Sequence, residues 1–245
     1  MNLWRWLFGV LALHALLFSG CSTSRGRPGA DAVSVDPEDI ADFSALYSQN
    51  CAGCHGPNGK GGASIALADP IYLAIADDSV LRRVTAKGVA GTQMPAFAKS
   101  AGGMLTDPQI DVIVKGIREH WSQPDALRGA NAPPYSAPIP GDASRGSIAF
   151  TTYCSSCHGP GGGGGPKASS IVNGSYLALV SDQGLRTAVI VGRPELGAPD
   201  WRGDVPGRPM PAQDVSDVVA WLASQRTKFP GQPYARSDQP VGEPR

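Results

Sequence analysis

The chain has little with which to hold a polyanion or to cross a membrane repeatedly. Its charges balance, 21 Lys and Arg against 21 Asp and Glu, and no long run of one sign occurs. That excludes the electrostatic footprint of a nucleic-acid binder. Aromatic residues make up 7% of the chain, so its packed cores are small. Cysteine is scarce, five in 245 residues. The longest apolar run, Trp6 to Phe18, covers about 13 residues, short of the roughly 20 that span a bilayer as a helix. Glycine and proline are in excess, 31 and 22 residues, which implies much loop and little regular β-structure.

The apolar run follows Arg5 and ends in Ser19-Gly20-Cys21, the layout of a secretory signal peptide. An uncleaved anchor helix is the competing reading. Phe18-Ser19-Gly20-Cys21 resembles the lipobox of bacterial lipoproteins, with Phe18 where that family usually has Leu. The resemblance implies acylation of Cys21 and a protein lipid-anchored in the periplasm or at the extracytoplasmic face of the membrane. Residues 1–21 are then signal and acylation cysteine, and residues 22–36 a tether.

Sliding the chain against itself reveals a repeat at an offset of about 103 residues. Asp39, Tyr47, Cys51, Cys54, His55, Gly56 and Pro57 fall on Asp142, Phe150, Cys154, Cys157, His158, Gly159 and Pro160. Tyr72-Leu73-Ala74, Leu81-Arg82 and Gly88 fall on Tyr176-Leu177-Ala178, Leu185-Arg186 and Gly192. Met94-Pro95-Ala96 then matches Met210-Pro211-Ala212, displaced further by an insertion expected around Glu195 to Gly207. Each unit closes on an amphipathic stretch of helical period, Ile110 to Trp121 and Val215 to Phe229. Capping side chains are expected at Thr106-Asp107-Pro108 and around Asp214. Between the units five prolines stand within Ser122 to Gly141, a semi-rigid linker.

Four cysteines remain for chemistry, Cys51 and Cys54, Cys154 and Cys157, each pair followed at once by His55 or His158. A zinc ribbon places its two pairs about 15 to 20 residues apart, and here they lie in separate repeats. A dithiol oxidoreductase sets its pair beside a βαβ pattern, which the sequence lacks. Structural disulfides explain neither the histidine nor the duplication. Cys-x-x-Cys-His signals covalent c-type haem attachment: on one helical turn the two thiols reach the two vinyl groups, and the histidine reaches the iron from the same segment. Two such motifs imply two covalently bound haem c groups. The run Gly161 to Gly165 is not a phosphate loop, since Pro166 precedes Lys167, Ala168 follows it, and no strand comes before.

On these residues both units resemble class I cytochrome c domains. The fold expected is all-α: two tandem domains, 37–121 and 141–229, joined by the Pro-rich linker 122–140 and followed by a polar tail, 230–245. The resemblance implies that Gly146 allows close crossing of the first and last helices, with Phe150 packing on the last; Phe43 occupies the corresponding place in the first unit.

Haem iron in cytochromes c takes His on one side and commonly Met on the other. His55 and His158 are the expected proximal ligands, and Met94 and Met210 the distal ones. His120, at a helix end, reads as an exposed cap-region residue. Met94 is preferred to Met104 because it repeats Met210, is held by Pro95, and lies in a stretch resembling the Met-Pro-x-Phe loop of the family. Saturated iron implies an electron carrier, not an enzyme. The chain then relays single electrons between redox protein partners or within a membrane respiratory complex, such as a quinol-oxidising complex or terminal oxidase. No small-molecule substrate and no nucleic acid are expected; a dihaem peroxidase is the enzymatic alternative.

Overall fold

The computed structural model describes residues 35–203, 205 and 207–227. The signal segment with Cys21, most of the tether, Phe229 and the polar tail lie outside them. Of the described residues, 35–39 belong to one unit, with a short 3-10 turn at Pro37–Asp39. The described residues from Ile40 onward belong to a second unit.

Among the described residues of that second unit there are ten α-helices and no strand. Five come from each half of the sequence. The first half gives α1 (Phe43–Asn50), α2 (Ala52–His55), α3 (Pro70–Ile75), α4 (Asp78–Lys87) and α5 (Asp107–Trp121). The second gives α6 (Ala143–Tyr153), α7 (Ser155–His158), α8 (Gly174–Leu179), α9 (Asp182–Val191) and α10 (Ala212–Ser224). No helix among the described residues is long and apolar enough to cross a membrane.

The start signals repeat chemically rather than letter by letter. Asp42 and Asp142 cap α1 and α6, accepting from Ala45 N–H at 2.7 Å and Arg145 N–H at 2.8 Å. Asp69 and Asn173 cap α3 and α8; Asp77 and Ser181 cap α4 and α9. Each removes an otherwise unmatched donor from a short helix. Thr106 and Gln109 form a capping box on α5, as its sequence implies. The last helix differs from expectation: it begins at Ala212, behind Pro211, which supplies no side-chain cap, and ends at Ser224.

First and last helices cross closely in both halves, by different means. A Cβ on Gly146 would lie 2.0 Å from the Asp217 carbonyl oxygen, so only glycine lets α6 touch the α10 backbone. Phe150 then packs against Trp221 at a tilt of 31°, with ring centroids 4.4 Å apart. In the first half the glycine is on the other helix: Gly116 of α5 receives the Phe43 ring, whose Cδ2 would be 2.1 Å from a Cβ there. Phe43 also stacks on His120 at 4.8 Å.

Asp217, with its side chain 3% exposed, ties α10 to the start of α6. Its oxygens accept from Arg145 Nε at 2.7 Å and Nη2 at 2.9 Å, from Asp142 N–H at 2.7 Å and from Gln213 Nε2 at 2.9 Å. The bonds from Arg145, helped by Asp142 N–H and Gln213, hold its carboxyl below the usual range against the opposing effect of desolvation. A depressed folded-state pKa contributes stability that is present above the unfolded value and is lost as pH falls through the folded one. Asp217→Asn therefore lowers stability at pH 7 by about 2 kcal/mol. In urea melts, the gap from wild type narrows as pH drops below about 4; a gap constant with pH would refute the charge as its origin.

The first half's core, built on Leu46, Ile71, Leu73, Ile110, Ile113 and Ile117, runs on without a break into Ile190, Val191, Trp201, Met210 and Val215. A smaller cluster holds Phe150, Leu177, Leu185, Val218 and Leu222. The linker is fastened as well. Arg186 on α9, 2% exposed, donates to the carbonyls of Pro134 and Tyr135 and to Ser216 Oγ at 2.9 to 3.1 Å.

Candidate functional site

Each Cys-x-x-Cys-His segment is one helical turn inserted between the first helix of its half and a glycine. Cys51 N–H donates to Tyr47 O at 2.8 Å, His55 N–H to Cys51 O at 3.0 Å and Gly56 N–H to Ala52 O at 2.9 Å. Cys154, His158 and Gly159 repeat those bonds on Phe150, Cys154 and Ser155 at the same lengths. The chain reverses at Gly56 and Gly159, with φ of 84° and 73°, a region that costs glycine little. A side chain at either would also strike the Lys60 or Gly164 carbonyl.

The turn places both thiols and the imidazole on one segment. Cys51 is buried and Cys54 exposed, while Cys154 and Cys157 are intermediate; none is in a disulfide. Burial, then the neighbouring thiol, pushes the leading Cys51 and Cys154 up to about 11. A dithiol oxidoreductase uses an attacking thiol with a depressed pKa, opposite in direction to the shift at Cys51 and Cys154, and no strand occurs among the described residues.

The histidines are set in one tautomer. His55 Nδ1 lies 2.8 Å from the Ile65 carbonyl oxygen, and His158 Nδ1 lies 2.9 Å from that of Ser169. A carbonyl only accepts, so each Nδ1 carries a proton, and in the neutral ring the lone pair is then on Nε2. This second-sphere arrangement orients metal-bound imidazoles and raises their basicity. Burial also holds His55 below its ordinary pKa, against the pull of the Ile65 bond, favouring the neutral, ligating form. The donor set of both turns fits a covalently held haem. The two carbonyls were not legible in sequence, lying ten and eleven residues past their histidines in loops without periodicity.

His120 Nδ1 accompanies the Gly116 carbonyl at 2.8 Å while its ring stacks on Phe43. It belongs to the helix crossing. Met104 is 77% exposed. Met94 is half-buried in a loop that returns to α4: its carbonyl accepts from Val89 N–H at 3.0 Å.

The expected equivalence of Met94-Pro95-Ala96 and Met210-Pro211-Ala212 does not hold. Met210 stands directly before the N-cap of α10, whereas Met94 precedes α5 by more than ten residues. The residue before the N-cap of α5 is Leu105, 5% exposed, and Met210 is 6% exposed. The expected insertion is also missing, since residues 88–106 and 192–211 between these helices differ in length by one. The identity of three letters outweighed backbone position in the sequence match.

A second unpredicted pair braces both halves. Arg118 Nη1 and Nη2 donate to the Leu73 and Ala76 carbonyls, and Nε pairs with Asp78 at 2.6 Å. Arg226 serves the corresponding partners with its donors exchanged: Nε and Nη2 donate to the Leu177 and Val180 carbonyls, and Nη1 pairs with Asp182. One arginine lies within α5 and the other beyond α10, so no alignment of the halves pairs them.

Comparison with known proteins bears on both halves. Residues 38–115 match the family described as cytochrome c oxidase, cbb3-type, subunit III, and residues 143–226 match cytochrome c. The cytochrome bc1 complex cytochrome c subunit of Mycobacterium tuberculosis (strain ATCC 25618 / H37Rv) is 26% identical over 191 residues, 75% of this chain and 66% of that one. Its counterpart in Corynebacterium efficiens is 24% identical over 247 residues, 93% of this chain and 78% of that one. The Cbb3-type cytochrome c oxidase subunit CcoP of Azospirillum sp. (strain B510) is 27% identical over 126 residues, 47% of this chain and 38% of that one. The match thus spans just under two thirds of the mycobacterial relative's length. Among solved structures, a chain of the Kuenenia stuttgartiensis reducing HAO-like protein complex superposes with a TM-score of 0.42 at 16% identity, covering 79% of this chain and 98% of that one. With two cytochrome c-type domains in tandem on an all-helical fold, the chain belongs to the dihaem c-type cytochromes.

Proposed function

We propose that this cytochrome carries two covalent haem c groups and relays single electrons as the cytochrome c arm of a membrane respiratory complex of the quinol-oxidising kind. The domains bearing them are 37–121 and 141–229. Haem c bound at each turn supplies a one-electron iron couple. Cys51 and Cys54, and Cys154 and Cys157, hold the two porphyrins; Nε2 of His55 and of His158 takes the iron; Met94 is the distal ligand in the first domain. The observation that carries this reading is the pair of matching Cys-x-x-Cys-His turns, each with its histidine Nδ1 bound to a carbonyl. The bc1-type relatives favour a complex subunit over a free shuttle. The continuous core and the fastened linker suit a relay, because they keep the two turns at one separation while electrons pass.

Cys21 is the proposed lipid anchor, placing the domains on the extracytoplasmic side. Intact mass after acid–acetone extraction should retain two haem masses on the chain; free haem or unmodified thiols would refute covalent attachment. A quinol-oxidising core should co-purify from native membranes, whereas isolation of the cytochrome alone would favour a tethered shuttle. Cys21→Ser should move the protein out of the membrane fraction or leave its signal uncleaved.

A further inference from the structure

Met94 sits on a backbone frame that the second domain repeats with alanine in its place. Gly88 and Gly192 end α4 and α9. In each domain the next residue's N–H bonds to a carbonyl five positions on: Val89 to Met94 at 3.0 Å, Arg193 to Ala198 at 2.9 Å. An exposed proline follows in both, Pro95 and Pro199. Two residues beyond come Phe97 and Trp201, whose carbonyls accept at 2.8 Å from Leu105 N–H and Met210 N–H. These bonds fix the register at both ends of the loop. Ala198 stands in the place of Met94, and Met210 in the place of Leu105. Exposure agrees: Met94 and Ala198 are both half-buried, while Leu105 and Met210 are 5% and 6% exposed within the hydrophobic core.

A methyl group cannot ligate iron, and Met210 is a core residue before a helix. Beyond residue 121 the sequence has no other methionine, and no histidine except His158. We propose that the haem iron of the second domain has no methionine ligand and keeps an open distal coordination position. At ferrous iron that position takes a small neutral diatomic ligand. The inference rests on the reading that both turns hold haem. A thioether ligand raises the potential of its haem, so the first haem is the higher of two resolved potentials.

The test uses the full chain, with both haems first established by mass. Carbon monoxide titrated into the reduced protein should saturate at about one per two haems. The ferric charge-transfer band of a His–Met haem should have the amplitude of one such centre. Ala198→Met should abolish carbon monoxide binding and about double that band. Met210→Leu, close to volume-conserving, should change neither. No carbon monoxide binding by wild type would overturn the proposal. So would loss of half the band in Met210→Leu, which would make Met210 the ligand. A mass showing a single haem would instead refute the dihaem reading beneath it, so the two failures are distinguishable.

Discussion

Gly146→Ala should destabilise the protein by about 3 kcal/mol, because overpacking against backbone is relieved only by moving helices. The added methyl would meet the Asp217 carbonyl oxygen at 2.0 Å, its carbon at 2.6 Å and Trp221 Cβ at 2.7 Å. None of these is the end of a flexible side chain. Separating α6 from α10 also pulls Phe150 off Trp221 and opens the Asp217–Arg145 attachment. Gly53→Ala is the control: nothing lies within 4 Å of its Cβ position, and alanine favours a helical site by up to about 1 kcal/mol. Urea melts of the haem-loaded variants, followed by circular dichroism, read both. The first domain allows a sharper check, since its close approach is a ring in a glycine notch. Gly116→Ala should be harmful alone and largely rescued by Phe43→Ala, a non-additive pair. An unchanged melt for Gly146→Ala would mean that the helices do not cross as described.

The exchange of glycine and aromatic between helices marks where sequence reading stopped. The Cys-x-x-Cys-His turns were legible as local structure because two thiols and an imidazole at that fixed spacing fall on one helical turn. Of the two helix starts read from capping residues, Thr106 caps α5 as expected, whereas α10 starts behind Pro211, whose side chain has no oxygen to accept an orphan N–H. Packing has no such code. Contact between two helices needs a notch on either partner, so Phe43 aligned with Gly146 gave no view of Gly116. The arginine braces are likewise set by where a guanidinium can reach, and Arg118 and Arg226 arrive from different parts of the chain. The loop after α4 and α9 misled for a further reason. Its register is held by main-chain bonds, Val89 to Met94 and Arg193 to Ala198, which leave no mark on residue identity. Met-Pro-Ala could therefore recur at a place where it only begins a helix.

Arg186→Met should cost about 3 kcal/mol, since it removes charge-assisted bonds and strands the carbonyls they served. Among the described residues the buried guanidinium has no carboxylate partner: it is held by two linker carbonyls and Ser216, and desolvation lowers its pKa. Its main yield is fixing the linker to α9 and α10. The matching position on α4, Arg82, offers the comparison within one molecule. That side chain is 42% exposed and pairs with Asp107 and Asp111, themselves 65% and 61% exposed. Arg82→Met should therefore change stability by no more than about 1 kcal/mol, as exposed ion pairs do. Limited proteolysis supplies a readout beyond melting. Cleavage between residues 126 and 140 should rise strongly in Arg186→Met and stay at the wild-type level in Arg82→Met. Equal cleavage in both would place the hold on the linker elsewhere, in the core that Trp201 and Met210 share with the first domain. Faster cleavage in Arg186→Met alone would make one buried cation the clasp between the two haem-bearing halves.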